Sequence, residues 1–549
     1  MKSIRIALCQ MNPTVGDLEG NSRKILEGYW KAAQRFKTDL VVFPELSLCG
    51  YSPEDLVLRK SFVDQNRKFM NRLAQKMTGP ACIVGYVRRK NGKTLNSAAV
   101  IQNARISSNY SKKILPNYGV FDEKRIFAPG EDSGIFRIKG IPIGLNICED
   151  LWEEDLKLSP CAHEVKKGAK ILINISASPY HAGKMNERLK ILQRRARQTH
   201  CPIVYVNMVG GQDELVFDGR SMVVDQKGTL ILLAQSFKED VQVVSFELQG
   251  RSGVSVTESR KREPLLTGAG EIYQALVLGT KDYVEKNKFK GILIGLSGGI
   301  DSALTACIAV DAIGKHRVTG VTMPSKFSSR GTRRDAEKIA KNLGIHLQTI
   351  PIGQLMDAFT RALSLSFKGT KPNIAEENIQ SRIRGTLLMA LSNKFGHLVL
   401  TTGNKSETSV GYCTLYGDTA GGFAVLKDVP KTVVYQLALY VNQRTKKTIV
   451  PGSTIRRAPT AELKVNQKDQ DTLPPYVLLD QIIKGYVEED LDLETLRKRR
   501  FNKVVLTRVI KMIDQSEYKR RQSPPGVKIT PKSFGRDRRM PITNLFSET

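Results

Sequence analysis

Short apolar runs alternate with amphipathic stretches along this chain, and several of the runs end in reactive side chains. Ile4–Met11 is apolar and alternating, which predicts a strand, and residues 17–36 carry apolar positions at helical spacing. Asp39-Leu-Val-Val-Phe-Pro-Glu45 reads as a second buried strand. Pro44 cannot continue a central strand, so Glu45 falls at its C-terminal end. Residues 81–87 and 96–106 read as a pair of strands. Ile141–Ile147 is another buried strand, running into Cys148-Glu149-Asp150, and Lys170–Ile175 repeats the theme into Ser176-Ala177-Ser178. A helix over Lys184–His200, a strand over Pro202–Met208 and a turn-rich segment from Gly210 to Gly219 follow. The stretch from 251 to 265 is polar and lacks periodicity, as a linker would be.

Strand and helix patterns alternate more regularly after that stretch. A helix is expected over roughly 268–286, then the apolar run Ile292-Leu-Ile294, a glycine turn and a helix over 301–313. Arg317–Met323, a helix near 332–343, His346–Ile350, a long helix within 373–394 and His397–Thr401 complete the series. Such alternation implies a parallel sheet with right-handed crossovers.

Composition narrows the class. At 549 residues the chain is longer than one core usually serves, and 41% hydrophobic with 25% charged residues is ordinary for a soluble globular protein. No apolar run reaches the roughly 20 residues that span a bilayer, and the N-terminus reads as the start of a strand rather than a signal peptide. The eight cysteines form no Cys-x-x-Cys pair and most sit in apolar contexts, which argues against zinc and disulfides and for a reducing, cytoplasmic setting. A net charge of +31 would suit nucleic acid or small anions alike. No zinc-finger spacing or basic–aromatic run supports the nucleic-acid partner.

The glycine turn is the first place where chemistry enters. Gly295-Leu296-Ser297-Gly298-Gly299-Ile300-Asp301-Ser302 links a strand to a helix, so backbone N–H groups and the helix N-terminus can surround an anion. It lacks the lysine of a Walker A loop. Asp301 beside a phosphate makes sense with Mg²⁺ between them. In the first half, three strand ends offer Glu45, Lys112 and Cys148. A cysteine can attack an amide or nitrile carbon, a carboxylate can move the proton, and an ammonium can stabilise the tetrahedral oxyanion.

Phe-Pro-Glu45, Tyr110-Ser-Lys112-Lys-Ile-Leu-Pro116 and Asn-Ile-Cys148-Glu-Asp-Leu-Trp152 make residues 1–250 resemble the nitrilase/amidase (carbon–nitrogen hydrolase) family. That resemblance implies a four-layer α-β-β-α sandwich, with Glu45 as base, Lys112 as oxyanion stabiliser, Cys148 as nucleophile and Glu123 positioning the lysine. Residues 266–549 resemble NAD synthetases that use ammonia or glutamine. The motifs are Ser297-Gly-Gly-Ile-Asp-Ser302, Met-Pro-Ser325, Glu377-Asn-Ile-Gln-Ser-Arg-Ile-Arg384, Thr402-Gly-Asn-Lys-Ser-Glu407 and Pro-Thr-Ala-Glu462-Leu. This second resemblance implies a Rossmann-like parallel sheet of the ATP-pyrophosphatase type.

Together the resemblances imply glutamine hydrolysis through a Cys148 thioester, then activation of deamido-NAD by ATP as an adenylate and its displacement by ammonia. Tyr118, Ser178 and Lys184 would bind glutamine. Gly295 to Ser302 and Thr402 would bind ATP; Asn378, Glu407 and Lys528 would bind deamido-NAD; Asp301 and Glu407 would hold Mg²⁺; Lys431 would reach a phosphate. Free ammonia would escape as ammonium, so an internal route for it is expected, in a protein expected to be a homo-oligomer. A different amidating ligase on the same loop, or a nucleic-acid binder, would each explain only part of the pattern.

Overall fold

Period-two alternation along Ser3–Gln10 sorts its side chains onto two faces: Ile4, Ile6 and Leu8 enter one core, Ala7 and Cys9 another. Leu40–Val42 does the same, with Leu40 and Val42 on the first side and Val41 on the second. The computed structural model describes residues 2–249, 253–259, 264–499, 501–546 and 548. By internal contacts the chain divides into two units, Met1–Leu266 and Thr267–Thr549.

The first unit has a seven-stranded sheet in the order Gly253–Ser259, Asp240–Gln249, Ser3–Gln10, Leu40–Val42, Ala81–Lys90, Lys93–Gln102 and Arg105–Ser111. A six-stranded sheet runs Leu230–Leu233, Met222–Val224, Ile203–Asn207, Ile171–Ser176, Ile141–Ile147 and Ile135–Ile138. One core holds Ile4, Ile6, Val42 and Ile83 from the first sheet with Ile143, Ile173, Val204 and Val223 from the second, so the sheets pack face to face. The opposite face of the seven-stranded sheet packs on helices Leu18–Phe36 and Lys60–Lys76 through residues such as Ile25, Tyr29, Met70 and Leu73. That of the six-stranded sheet packs on Lys184–Thr199 through Met185, Leu192 and Ala196. Four layers result, helix on sheet on sheet on helix.

Two details differ from the sequence reading. The strand expected over 96–106 is two strands, broken where Asn103 and Ala104 both adopt left-handed backbone (φ 51° and 58°) and reverse the chain. Within the stretch expected to be a linker, Gly253–Ser259 is instead a strand, paired antiparallel with Asp240–Gln249. Val254 enters the core between the sheets with Val256 packed against it, and the strand, at the edge with one neighbour, needs no longer apolar run. Residues 251, 252 and 260–263 of that stretch lie outside the described residues.

The second unit is built on a five-stranded, all-parallel sheet in the order His346–Thr349, Val318–Thr322, Gly291–Gly295, His397–Thr401 and Phe423–Ala424. The chain enters at the centre, builds outward on one side, then returns to build the other. Gly291–Gly295 is therefore the strand at which the winding reverses, and a crevice opens beyond its C-terminal end. Helices Ile300–Ile313, Arg330–Leu343 and Ile374–Phe395 are the main crossovers. A second, all-helical core unites Leu479, Ile482, Leu496, Leu506 and Ile510.

Candidate functional site

On the first unit the strand ends converge. Glu45 follows Leu40–Val42 in a tight reversal that presses on Gly85 of the neighbouring strand; a Cβ at Gly85 would lie 2.3 Å from the Leu46 nitrogen. Lys112 directly follows Arg105–Ser111, and its backbone N–H donates to the Asn96 carbonyl at 2.8 Å. The same asparagine donates from Nδ2 to Glu45 Oε1 at 2.7 Å, so one residue fixes both partners. Lys112 Nζ donates to Glu45 Oε1 at 2.9 Å and to Glu123 Oε1 at 2.8 Å, while Glu45 Oε2 accepts the Ala177 N–H at 2.8 Å. Tyr51 donates its hydroxyl to Glu123 Oε1 at 2.9 Å. Glu45, Lys112 and Glu123 are all buried.

Cys148 ends the strand Ile141–Ile147 and begins a single 3₁₀ turn, Cys148–Leu151, with its own backbone left-handed at φ 45°. A non-glycine residue held there carries strain of order 1–3 kcal/mol, which surrounding bonds must offset. Burial pushes the Cys148 thiol well above its ordinary value; Glu45 raises it further and Lys112 pulls it back. Burial opposes charge on Lys112, but Glu123 and Glu45 outweigh it and hold the ammonium protonated. Burial raises the Glu123 carboxyl to about 7 against the pull of Lys112.

Cys148 thus rests as a thiol that would need a base to react, not as a preformed thiolate. Because the pKa of this acid is raised, its thiolate fraction climbs with pH through 9. Inactivation of glutamine hydrolysis by iodoacetamide should accordingly accelerate continuously from pH 6 to 9. A rate that levels off with a midpoint below pH 7, as in a thiolate–imidazolium pair, contradicts this.

The three residues expected to bind glutamine lie around this group. Tyr118, 56% exposed, donates its hydroxyl at 2.9 Å to Glu149, the residue after Cys148. Ser178 adjoins Ala177, whose N–H reaches Glu45. Lys184 Nζ stands 4.5 Å from the Trp152 ring centroid, pairs with Glu187 at 2.9 Å, and its charge is felt by Glu149. Sequence reasoning missed Arg188, which is buried and donates to the Ser178 hydroxyl (3.1 Å), the Ser178 and Pro179 carbonyls and Asp218 (2.6 Å). Its only signal was helical spacing, one turn beyond Lys184.

On the second unit a cleft of about 420 Å³ opens beyond the central strand. Gly295, Leu296, Ser297, Gly299, Ile300, Asp301, Ser302 and Thr402 line it, as do Asn378, Glu407 and Lys431. Ser297 and Ser302 close the loop on itself, Oγ to Oγ at 3.1 Å, and Gly299 N–H donates to Ser297 Oγ at 3.2 Å. Gly298 lies behind the loop rather than in the cleft: its φ is +85°, and a Cβ would fall 2.1 Å from the Thr332 carbonyl oxygen. Asn378 accepts the Thr414 hydroxyl at 2.7 Å. Lys528 does not line the cleft; its ammonium is buried against Asp537 (2.6 Å) and the Thr530 and Pro531 carbonyls.

Asp301 and Glu407 meet at one cation. Lys431 Nζ bonds Asp301 Oδ2 and, at 3.0 Å, Glu407 Oε1. Asn404 caps the helix Lys405–Ser409, with Glu407 reciprocating, and its Nδ2 donates to Asp301 Oδ1 at 2.9 Å. The spacing Asn404-x-x-Glu407 is a capping-box signature that the sequence displayed. Burial raises the Glu407 carboxyl to about 7, opposed by Lys431 and aided by Asp301 and Asp469. Two oxygen donors on one cation position suit a hard divalent ion that takes its remaining ligands from phosphate and water. Among the described residues no group of three His, Cys, Asp or Glu side chains forms an all-protein metal cage. Arg384, which burial lowers to about 10, adds a cation to the cleft.

Comparison with known proteins fits this two-site arrangement. The carbon–nitrogen hydrolase family model matches residues 5–253 and the NAD synthase model residues 272–523. The chain is 45% identical to the glutamine-dependent NAD(+) synthetase of Thermotoga maritima, covering 100% of both, and 43% identical to that of Synechocystis, covering 98% of this chain and 99% of the other. The structure of glutamine-dependent NAD(+) synthetase from Acinetobacter baumannii in complex with ADP superposes with a TM-score of 0.79 at 41% identity, over 100% of both chains. With this identity held over the whole length, the chain belongs to the family of glutamine-dependent NAD(+) synthetases.

Proposed function

We propose that the chain amidates deamido-NAD to NAD with ammonia released from glutamine, and that an adenylate is the activated intermediate. What supports this reading is the presence, in one chain, of two differently prepared sites. One is a buried thiol beside a lysine shared by two carboxylates; the other is a phosphate-type loop with two carboxylates on a common cation.

On the first unit, Glu45 accepts the Cys148 thiol proton as Sγ attacks the carboxamide carbon of glutamine. Lys112, fixed by Glu45 and Glu123, donates to the oxyanion. Glu45 returns the proton to nitrogen, the C–N bond breaks and ammonia leaves a thioester, which water hydrolyses to glutamate with Glu45 again as base. Lys184 would face the glutamine carboxylate, with Tyr118 and Ser178 completing the pocket.

On the second unit, the N–H groups of Ser297 to Ser302, with Thr402, would hold the ATP phosphates. An oxygen of the nicotinate carboxylate attacks the α-phosphorus and pyrophosphate departs; ammonia then attacks the acyl carbon and AMP leaves. Asp301 and Glu407 would hold Mg²⁺, which when bound neutralises phosphate charge. Lys431, released from their carboxylates, would turn to the leaving phosphates. Asn378 and Glu407 line the cleft where deamido-NAD would lie. Lys528, buried behind its own ion pair, would serve the substrate only if that pair opens. No helix among the described residues is long and apolar enough to cross a membrane. All eight cysteines are free thiols, which would suit a reducing cytoplasmic setting.

The deciding experiment supplies ATP, glutamine and deamido-NAD labelled with ¹⁸O in its carboxylate. The expected products are NAD, glutamate, pyrophosphate and AMP carrying one ¹⁸O. Label in inorganic phosphate, with ADP formed, would replace the adenylate by an acyl phosphate.

A further inference from the structure

We infer that Asp150 is the positioning residue that locks the nucleophile turn and the lysine segment into one geometry. Its side chain is fully buried and takes four donors. Oδ2 accepts the Ile147 N–H at 3.0 Å and the Tyr110 hydroxyl at 2.7 Å; Oδ1 accepts the N–H groups of Lys113 at 3.0 Å and Ile114 at 2.9 Å. Ile147 immediately precedes Cys148, and Lys113 immediately follows Lys112. One carboxylate therefore spans the backbone on the near side of the nucleophile and on the far side of the oxyanion lysine.

An ordinary turn cap accounts for the Ile147 bond alone, since Asp150 is the third residue of the turn that Ile147 caps. It does not account for the two N–H groups from the lysine segment, more than thirty residues upstream, or for the tyrosine from the strand before it. Charge-assisted bonds to backbone N–H groups are short and directional, which suits a device that fixes position. The device has something to hold in place, because Cys148 adopts a left-handed backbone that a non-glycine residue avoids when free. Asp150 lies behind the turn, so it acts through Cys148 and Lys112 and not on glutamine.

This inference rests on the reading that Cys148 and Lys112 act on the same glutamine. Asp150→Asn is nearly isosteric but removes the charge and turns an NH₂ group toward at least one pair of donors. Displacing a reacting group by the order of 1 Å costs about 100-fold. The expected result for Asp150→Asn is a kcat for glutamine hydrolysis about 100-fold lower with KM for glutamine within about threefold. NAD formation from added ammonium should stay within about twofold, since the second unit is untouched. Tyr110→Phe removes a single donor and gives a smaller fall in the same pattern; it decides the matter if Asp150→Asn is insoluble. An unchanged kcat, a change confined to KM, or a parallel loss of the ammonium-dependent reaction overturns the inference. Cys148→Ala measured alongside separates the two layers. If that variant still uses glutamine, the assignment of the nucleophile has failed; if it does not while Asp150→Asn keeps its kcat, only the role of Asp150 has.

Discussion

Cys148→Ala is expected to lower NAD formation from glutamine by at least about 10⁴-fold while leaving formation from ammonium within about twofold of wild type. The size of the effect follows from what surrounds the thiol. Lys112 cannot replace it, because Glu123 and Glu45 keep its nitrogen protonated and therefore without a lone pair to offer. Two serine hydroxyls on the neighbouring strand end are already hydrogen-bonded: Ser178 Oγ accepts from Arg188 at 3.1 Å, and Ser176 Oγ donates to Asn174 at 2.7 Å. No neighbouring group is thus placed to form the acyl intermediate that splits amide hydrolysis into two easier steps. The side chain itself is small and buried, so alanine leaves only a minor gap and the fold should persist. Chromatographic quantification of NAD with each nitrogen source tests this. Residual glutamine use above about one percent would mean another nucleophile, and simultaneous loss of the ammonium reaction would mean that the two sites are not chemically separate.

How much of this was legible beforehand depends on the length scale of the signal. The parallel sheet of the second unit could be read from its alternating runs, because fully buried strands such as Ile292–Ile294 leave a contiguous apolar signature. The edge strand Gly253–Ser259 could not, since a strand with one neighbour needs no such signature and its polar residues resemble a connector. The left-handed pair Asn103-Ala104 was hidden for a similar reason: the apolar pattern continues across it, and only the backbone turns. Among the candidate residues, Glu45 and Cys148 stand out because each ends an apolar run, whereas Lys112 follows the polar strand Arg105–Ser111 and is picked out by the family motif. The bonds of Asp150 to Lys113, Arg188 to Asp218 and Asn404 to Asp301 were not legible, because they join segments 30 or more residues apart and local pattern carries no trace of such pairing; of Asn404 only the capping box with Glu407 showed. The family resemblance alone points to Lys431; its two carboxylate partners are visible only in the structure. The net charge of +31 does not come from the buried cations Lys112, Lys405, Lys431 and Arg188, since each of them is matched by at least one acid.

Gly298→Ala should abolish synthesis from both nitrogen sources, with kcat/KM for ATP down by at least about 100-fold, and should leave the alkylation rate of Cys148 unchanged. Two independent obstacles meet at this position. The backbone is at φ +85°, where an L-residue with a side chain costs of order 1–3 kcal/mol. The added Cβ would also stand 2.1 Å from the Thr332 carbonyl oxygen and 3.1 Å from the Ala336 nitrogen, both backbone atoms of the helix Arg330–Leu343, which cannot yield as a flexible side chain would. The cheaper response is for the loop to move. Moving it displaces a loop that lines the cleft and breaks the Thr454 hydroxyl bond to the Gly298 carbonyl at 3.3 Å. Asp301, three residues on, would then leave the position where Lys431 and Asn404 hold it beside Glu407. The loop carries no P-loop lysine of its own, so a displaced backbone has no cationic side chain within the turn to take its place. Gly299→Ala is the matched control: its φ is not in the left-handed region, and the nearest atom to its Cβ is the Ser297 hydroxyl at 3.3 Å, a side chain that can rotate. Its loss should be markedly smaller. Equal losses in the two variants would show that any bulk in the turn is harmful and that the approach of Gly298 to the Thr332 carbonyl has no special part in holding the loop.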